Sequence, residues 1–426
     1  MKRSCLGYFF LITVVIFTSC DPESVLDPRS KVKDSLAVST IWINTLNEEK
    51  ITSKDKADYV PCDVKIQSVN KPWNFSGSGK IRGRGNSTWL WYDKKPYRLK
   101  LTEAKSILGL KSDKDWVFLA NYRDPTHLMN TFVFIMGRGL GLPFTNSVRY
   151  AEVYLNNDYI GLYQITEQVE QGRNRVNVDY KEGLLLSLDL DDGPSLSPAA
   201  QDNFWSSVYG MPVCVKHPKD IPTEQLDSIK SELKVLETAI QRDNYYAVSD
   251  ILDIPAFIDY LIIQELVFNV EVAAPRSIYI HRNKNQKWVM GPLWDFDAGF
   301  DFDWSTMYTG HNYFNNFRKL VLGRDPYRQI GGHRIPYFFT DLFKFRQFVR
   351  DYKDRWLEIK NDIMDVYWEE TLRYAEENKD AMFRDFERWP IDRHYDTEIR
   401  AMGVWLRDRV EYLSGIIANY PAGQIY

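Results

Sequence analysis

Apolar residues recur at every second position through the first third to half of the chain, and at every third or fourth position through most of the rest. That change of period constrains the fold more than any other feature, because alternation buries one face of a strand and the longer period buries one stripe of a helix. Alternation begins at "AVSTIWINT", returns at "CDVKIQSV", and runs through "KKPYRLKL", where Tyr97, Leu99 and Leu101 point one way and Arg98 and Lys100 the other. "RYAEVYLNNDYIGLYQITEQV" reads as a hairpin turning at Asn156-Asn157-Asp158. One buried helix interrupts the strands, with Asp124 as cap, Pro125 at its first position and Gly139 and Gly141 as stop signals.

Residues 183–222 are less regular and read as an insertion, with "DLDDGPSLSPAAQDN" looking like an exposed loop. Beyond them helical spacing dominates: Leu226, Ile229, Leu233, Leu236 and Ile240, then Trp356, Ile359, Ile363 and Val366, then Met402, Leu406, Val410, Leu413 and Ile417. A hairpin breaks in, "SIYIHR" to "KWVM", and leads straight into "GPLWDFDAGFDFDW". The expected class is α+β, a sheet-rich part followed by a helical part.

With 44% hydrophobic residues among 426, the chain can bury a large core, and its formal net charge of −4 argues against a nucleic-acid partner. The N-terminus, "MKRSCLGYFFLITVVIFTSC", has two cations, an apolar run and small residues before Cys20, the form of a signal peptide over residues 1–19. "FTSC" is similar to a bacterial lipobox, which makes Cys20 the lipidated first residue of the mature chain. The expected location is the cell envelope (outer membrane, facing periplasm or surface), with membrane contact through the lipid anchor only. Residues 20–35 read as a polar tether. Of the remaining cysteines, Cys62 and Cys214 either pair or stay as two free thiols.

Two stretches carry chemistry. "GKIRGRGNST" places Gly79, Gly83 and Gly85 between strand signals, where backbone NH groups can cradle phosphate, or simply turn a hairpin. In "WDFD", continued alternation puts Trp294 and Phe296 on one face and Asp295 and Asp297 on the other, a pair of hard ligands suited to Mg²⁺ or Mn²⁺. No HExxH or GxSxG spacing occurs, which disfavours zinc and serine hydrolases.

Six stretches, "IRGRGNSTW", "KKPYRLKL", "DWVFLANYRDPTHLMN", "EVYLNNDYIGLYQITEQV", "NVEVAAPRSIYIHR" and "GPLWDFD", occur in an order that resembles the CotH kinase family of atypical protein kinases. The resemblance spans about residues 36–415. It implies a protein-kinase-like two-lobed fold, with an N-lobe over about 36–180, an insertion over about 183–222 and a C-lobe over about 223–415. It also implies ATP with Mg²⁺ or Mn²⁺ in the cleft, and phosphotransfer to Ser/Thr of an envelope or surface protein acceptor.

Carried over residue by residue, Gly83, Arg84, Gly85 and Ser87 take the place of the phosphate-covering loop. Lys100, with Lys95 as second choice, matches the phosphate-contacting lysine, with Arg98 beside it. Glu167 matches an acid at the nucleotide cleft, Asp295 the metal-binding aspartate, and Asp297 stands next to it. The catalytic segment departs from the family pattern. Asn269-Val270-Glu271, with Arg276 following, has Glu271 where active members carry aspartate. The same scaffold without turnover implies the alternative, a surface lipoprotein that binds protein or glycan.

Overall fold

The computed structural model describes residues 38–194, 202–306, 312–321, 335–390 and 394–420. The expected signal peptide, Cys20 and the expected tether lie outside the described residues, as does part of the chain after "WDFD".

Seven strands form a closed barrel: β1 (Ser39–Thr45), β2 (Val60–Gln67), β3 (Phe75–Gly83), β4 (Tyr97–Lys105), β5 (Asp113–Leu119), β6 (Arg149–Leu155) and β7 (Asp158–Glu167). Their order is β1-β2-β3-β4-β5-β7-β6, and a parallel pairing from Ser39↔Ala151 to Ile43↔Leu155 shuts the seam. The alternation seen in the sequence decides which side chains enter. Ile41, Val64, Ile81, Leu99, Trp116, Phe118, Val153 and Ile165 fill the interior, each removed from water. Truncating one such residue to alanine costs about 2–5 kcal/mol. At the β6–β7 turn Asn156 and Asn157 take φ values of 50° and 65°, the left-handed region that asparagine tolerates best after glycine.

Two helices belong to this half, α1 (Ser87–Trp91) and α2 (Met129–Gly139). The second begins later than the sequence pattern suggests. Asp124 is a knot rather than a cap at the adjoining position: its carboxylate accepts from Thr126 N at 2.8 Å, Thr126 Oγ1 at 2.7 Å and Met129 N at 2.8 Å. The helix therefore starts where that knot releases the chain.

The stretch expected as an exposed loop, "DLDDGPSLSPAAQDN", lies partly outside the described residues, but residues 183–222 carry strands. They supply β8 (Leu184–Leu188), β9 (Asn203–Trp205) and β10 (Pro212–His217), which join β11 (Ile278–Arg282) and β12 (Val289–Met290) in an antiparallel sheet of order β12-β11-β8-β10-β9. β8 is its central strand and is buried throughout. A continuous apolar run, "LLLSL", carries no alternation to read, which is why the pattern looked irregular.

The remaining body is helical: α3 (Thr223–Gln241), α4 (Tyr245–Ile251), α5 (Ile254–Leu266), α6 (Ile335–Thr340), α7 (Arg346–Asp362), α8 (Glu369–Arg388) and α9 (Tyr395–Ala418). Asp253 caps α5 by accepting from Ala256 N at 3.1 Å. Nearly every α5 residue is buried, so it forms the axis of this part. Lys94, fully buried, ties the two parts: its Nζ meets Asp385 of α8 at 2.7 Å and donates to the Leu162 carbonyl of β7 at 2.7 Å. The fold is thus α+β with a sheet-rich N-terminal and a helical C-terminal region, but the N-terminal strands close into a seven-stranded barrel, which is not clearly the two-lobed protein-kinase fold expected. Cys62 and Cys214 are both free and buried, on β2 and β10.

Candidate active site

A cavity of about 1010 Å³ lies between the barrel and the second sheet. Three local structures build it. The chain leaving β3 turns through Arg84 and Gly85 into α1; Gly85 has φ +82°, and a Cβ there would meet Thr88 Oγ1 at 2.6 Å, so glycine is required. The chain leaving α5 turns at Asn269, whose side chain accepts from Glu271 N at 3.2 Å and donates to Gln264 Oε1 at 2.8 Å. That fixes a short 3₁₀ turn, Val270–Val272, with Glu271 on it. The third is "WDFD". The strand ends at Met290, so simple alternation does not continue; instead Asp295 takes φ +64°, and both aspartates line the cavity together with Trp294. Asn121 and Ser277, which also line it, have φ of 48° and 54°. Left-handed backbone at non-glycine residues costs energy and gathers at functional sites.

The walls carry opposite net charge. The barrel side contributes Lys54, Lys56, Arg82, Arg84 and Arg98, with Asp55 among them; the opposite side contributes Asp189, Asp191, Asp192, Glu271, Asp295 and Asp297, with Arg276 among them. Arg84 lies over the Trp294 ring, 5.3 Å from its centroid. Burial weakens the protonated form of Arg84, and nearby Asp295 restores part of it. Burial, then Asp297, pushes the Asp295 acid up to about 7, with Arg123 and Arg84 pulling the other way. Glu271 is raised well above the usual carboxyl range by burial and by Asp295 and Asp297. Its Oε2 is buried with no hydrogen-bond partner.

Asp297 is different. Arg123 Nη2 donates to its Oδ1 at 2.5 Å, and Arg123 Nε and Tyr313 Oη donate to its carbonyl at 3.2 and 2.7 Å. Burial opposes the charge on Arg123, but Asp297 outweighs it and keeps the guanidinium protonated. Asp297 therefore anchors the loop that presents Asp295. Arg276 Nε donates to Asp191 Oδ2 at 2.9 Å, and Ser277 N to Asp189 Oδ2 at 3.1 Å, so the end of β8 holds the segment after Glu271.

Of the residues expected from sequence, Arg84, Gly85, Ser87, Arg98, Glu271, Arg276, Asp295 and Asp297 line the cavity. Gly83 sits behind it under the Trp89 ring, and Asn269 supports Glu271 from below. The expectation for Lys100 changes, because it stands outside the cavity, half exposed, paired with Asp115 at 3.1 Å. Lys95 donates to the Trp89 carbonyl. Glu167 is buried and does not meet Lys100; it accepts from Ser147 N at 2.7 Å and Thr166 Oγ1 at 3.1 Å. Sequence reasoning missed Arg82, Arg123 and the Asp189–Asp192 run. Arg82 shares a face with Lys80 in "GKIRGRG", a period-two signal that was available.

Among the described residues no group of three or more His, Cys, Asp and Glu is arranged to cage a metal. Mg²⁺ and Mn²⁺ suit such a site when one or two carboxylates share the ion with water and phosphate. The orphaned Glu271 oxygen and the raised Asp295 acid both fit an absent cation.

A comparison with curated proteins finds no match. The family described as CotH kinase protein matches residues 81–413, a span that contains the cavity's glycine turn, Glu271 and "WDFD". The chain belongs to the CotH kinase family.

Proposed function

We propose that the chain is an atypical protein kinase that binds ATP with Mg²⁺ or Mn²⁺ in this cavity and phosphorylates a Ser or Thr hydroxyl of an envelope protein. The observation that carries the reading is the opposition of the walls: arginines on the barrel side face Glu271 and Asp295 across one cavity. Arg84 is suited to phosphate oxygens, which it would meet as a bidentate partner, while Arg98 lines the same wall with its Nε and Nη2 held by Asp115 and Glu170. Asp295, with the free oxygen of Asp297 beside it, would hold the metal. Bound there, the ion supplies positive charge to the phosphate oxygens as charge develops on the leaving group.

Glu271 would accept the proton of the attacking hydroxyl while the acceptor oxygen bonds to the γ-phosphorus and ADP departs. Arg276 steadies that segment through Asp191. We read the barrel and the helical body as the counterparts of the two kinase lobes, and Cys20 as the lipid anchor to the outer membrane. No helix among the described residues is long and apolar enough to cross a membrane.

A second reading, a surface lipoprotein that binds without turnover, draws on Glu271. Its side chain is one methylene longer than aspartate, and its surroundings favour the protonated acid, a poor base.

Melting curves of the full chain test nucleotide binding. ATP with Mg²⁺ or Mn²⁺ raises the melting temperature of the wild type, and Asp295→Ala removes the rise. No rise at millimolar ATP with either metal would sink the kinase reading. Transfer of labelled phosphate to envelope proteins then separates the enzyme from the binder.

A further inference from the structure

Four cations stand on the outer face of β3 and β4 in two opposed pairs, Lys80 across from Lys100 and Arg82 across from Arg98. Like charges directly opposite in an antiparallel sheet repel, so the arrangement works against local stability. On the β4 side the protein answers it. Asp115 pairs with Arg98 at 2.7 Å and with Lys100 at 3.1 Å, and Glu170 pairs with Arg98 at 3.0 Å.

On the β3 side it does not. Among the described residues Lys80 and Arg82 have no carboxylate within ion-pair distance. Both cations stand over the ring of Tyr59, at 4.8 and 5.2 Å from its centroid, and Arg82 Nη1 also donates to the carbonyls of Lys54 and Gly83, which leaves its charge without a counter-ion. Arg82 is 8% exposed, lines the cavity, and has a buried Nε without an acceptor. Lys80 is exposed and lies outside the cavity.

Strand alternation continues this face outward through Ser78 and Ser76, both exposed, with Asp63 of β2 opposite Ser78 marking its acidic limit. Inward, the row ends at Arg84 beside Asp295. Lys80 and Arg82, neither with a carboxylate partner, thus lead from solvent toward Arg84 at the acid wall. Alternate residues on a strand stand about 7 Å apart, the same interval that separates alternate side chains of an extended polypeptide. A nucleotide whose terminal phosphate reaches Asp295 has no phosphate left for an exposed lysine beyond the cavity wall. The backbone of β3 is paired on both sides, so an occupant meets side chains only.

We infer that Lys80 and Arg82 form a docking track for an acidic, extended segment of the acceptor polypeptide, with Asp or Glu at alternate positions. The inference rests on the phosphotransferase reading and names the class of its acceptor. The acidic positions seat on the row, and the hydroxyl that follows them is delivered toward Glu271.

The test uses the full chain and a fluorescently labelled alternating Asp-Ser peptide, with an Asn-Ser peptide of equal length as control, read by anisotropy without nucleotide. The Asp-Ser peptide binds at least about tenfold more tightly at low salt and loses that margin as salt rises. Lys80→Glu, an exposed substitution, weakens it about fivefold or more while the ATP-induced melting shift stays at the wild-type value. Equal binding of the two peptides, or no effect of Lys80→Glu, overturns the track. A loss of the ATP shift in Lys80→Glu also overturns it, by assigning the row to nucleotide. Preferential binding of a sulfated polysaccharide at matched charge overturns the polypeptide assignment. Failure of the kinase reading shows separately, as a missing ATP shift in the wild type.

Discussion

Buried charge is handled in opposite ways in the helical body and at the cavity. In the body Arg409 and Glu265 pair at 2.8 Å, and the guanidinium also donates to the carbonyls of Leu266 at 3.1 Å and Phe317 at 2.7 Å, while Glu265 accepts from Val321 N at 3.1 Å. Lys94 and Asp385 are as well supplied, with Leu162 giving both a carbonyl and an NH to the pair. At the cavity, Glu271 Oε2 and Arg82 Nε have no partner, and Asp295 holds its proton far above the usual range. An interior that satisfies its charges is fixing the fold, and one that leaves them without protein partners is suited to binding.

The contrast is broken most severely by Arg409→Ala, which leaves Glu265 buried and uncompensated. Loss of about 3–5 kcal/mol is expected, measured by denaturant unfolding. Glu271→Gln should do the reverse, changing stability by less than about 1 kcal/mol because the carboxyl already favours its neutral form. Phosphotransfer in that variant should fall by about 10²-fold or more. Glu271→Asp should sharpen the same point. If the extra methylene misplaces the base, the shorter acid raises the rate by about tenfold or more in a labelled-phosphate assay.

A pH series gives a smaller effect. Asp295 keeps its proton to about 7 when folded and releases it near 4 when unfolded, so the unfolded chain binds fewer protons across that window. Metal-free stability should therefore decline from about pH 4 to pH 7, by roughly 1–3 kcal/mol. Asp295→Asn should flatten that part of the decline, and melting curves without divalent metal would show it. Smallest of all, Lys100→Ala should cost less than about 1 kcal/mol and leave the nucleotide-induced shift intact, because the lysine is half exposed and outside the cavity.

What the sequence made legible follows from what periodicity encodes. It assigned faces, so the inward set Tyr97, Leu99 and Leu101 and the outward Arg98 and Lys100 were readable, as was the hairpin at Asn156. It does not encode partners. Nothing in "STIWINT" announces that it pairs in parallel with a strand more than a hundred residues away. The site was legible where motif and turn coincide, as at Gly85, Glu271 and Asp295. The sequence does not show the partners that fix a side chain, as Arg123 does for Asp297 and Ser147 for Glu167. Lys100 shows the same limit: its face was right, but a single strand cannot tell which part of that face lies under the cleft.

Because the parallel seam between β1 and β6 shuts the barrel, β3 and β4 are held by inward residues such as Ile81 and Leu99 and by a completed backbone ladder. Positions 76, 78 and 80 can then be exchanged without disturbing either. A lineage could rewrite what this face prefers one side chain at a time, keeping the chemistry of the cavity constant while its clientele drifts.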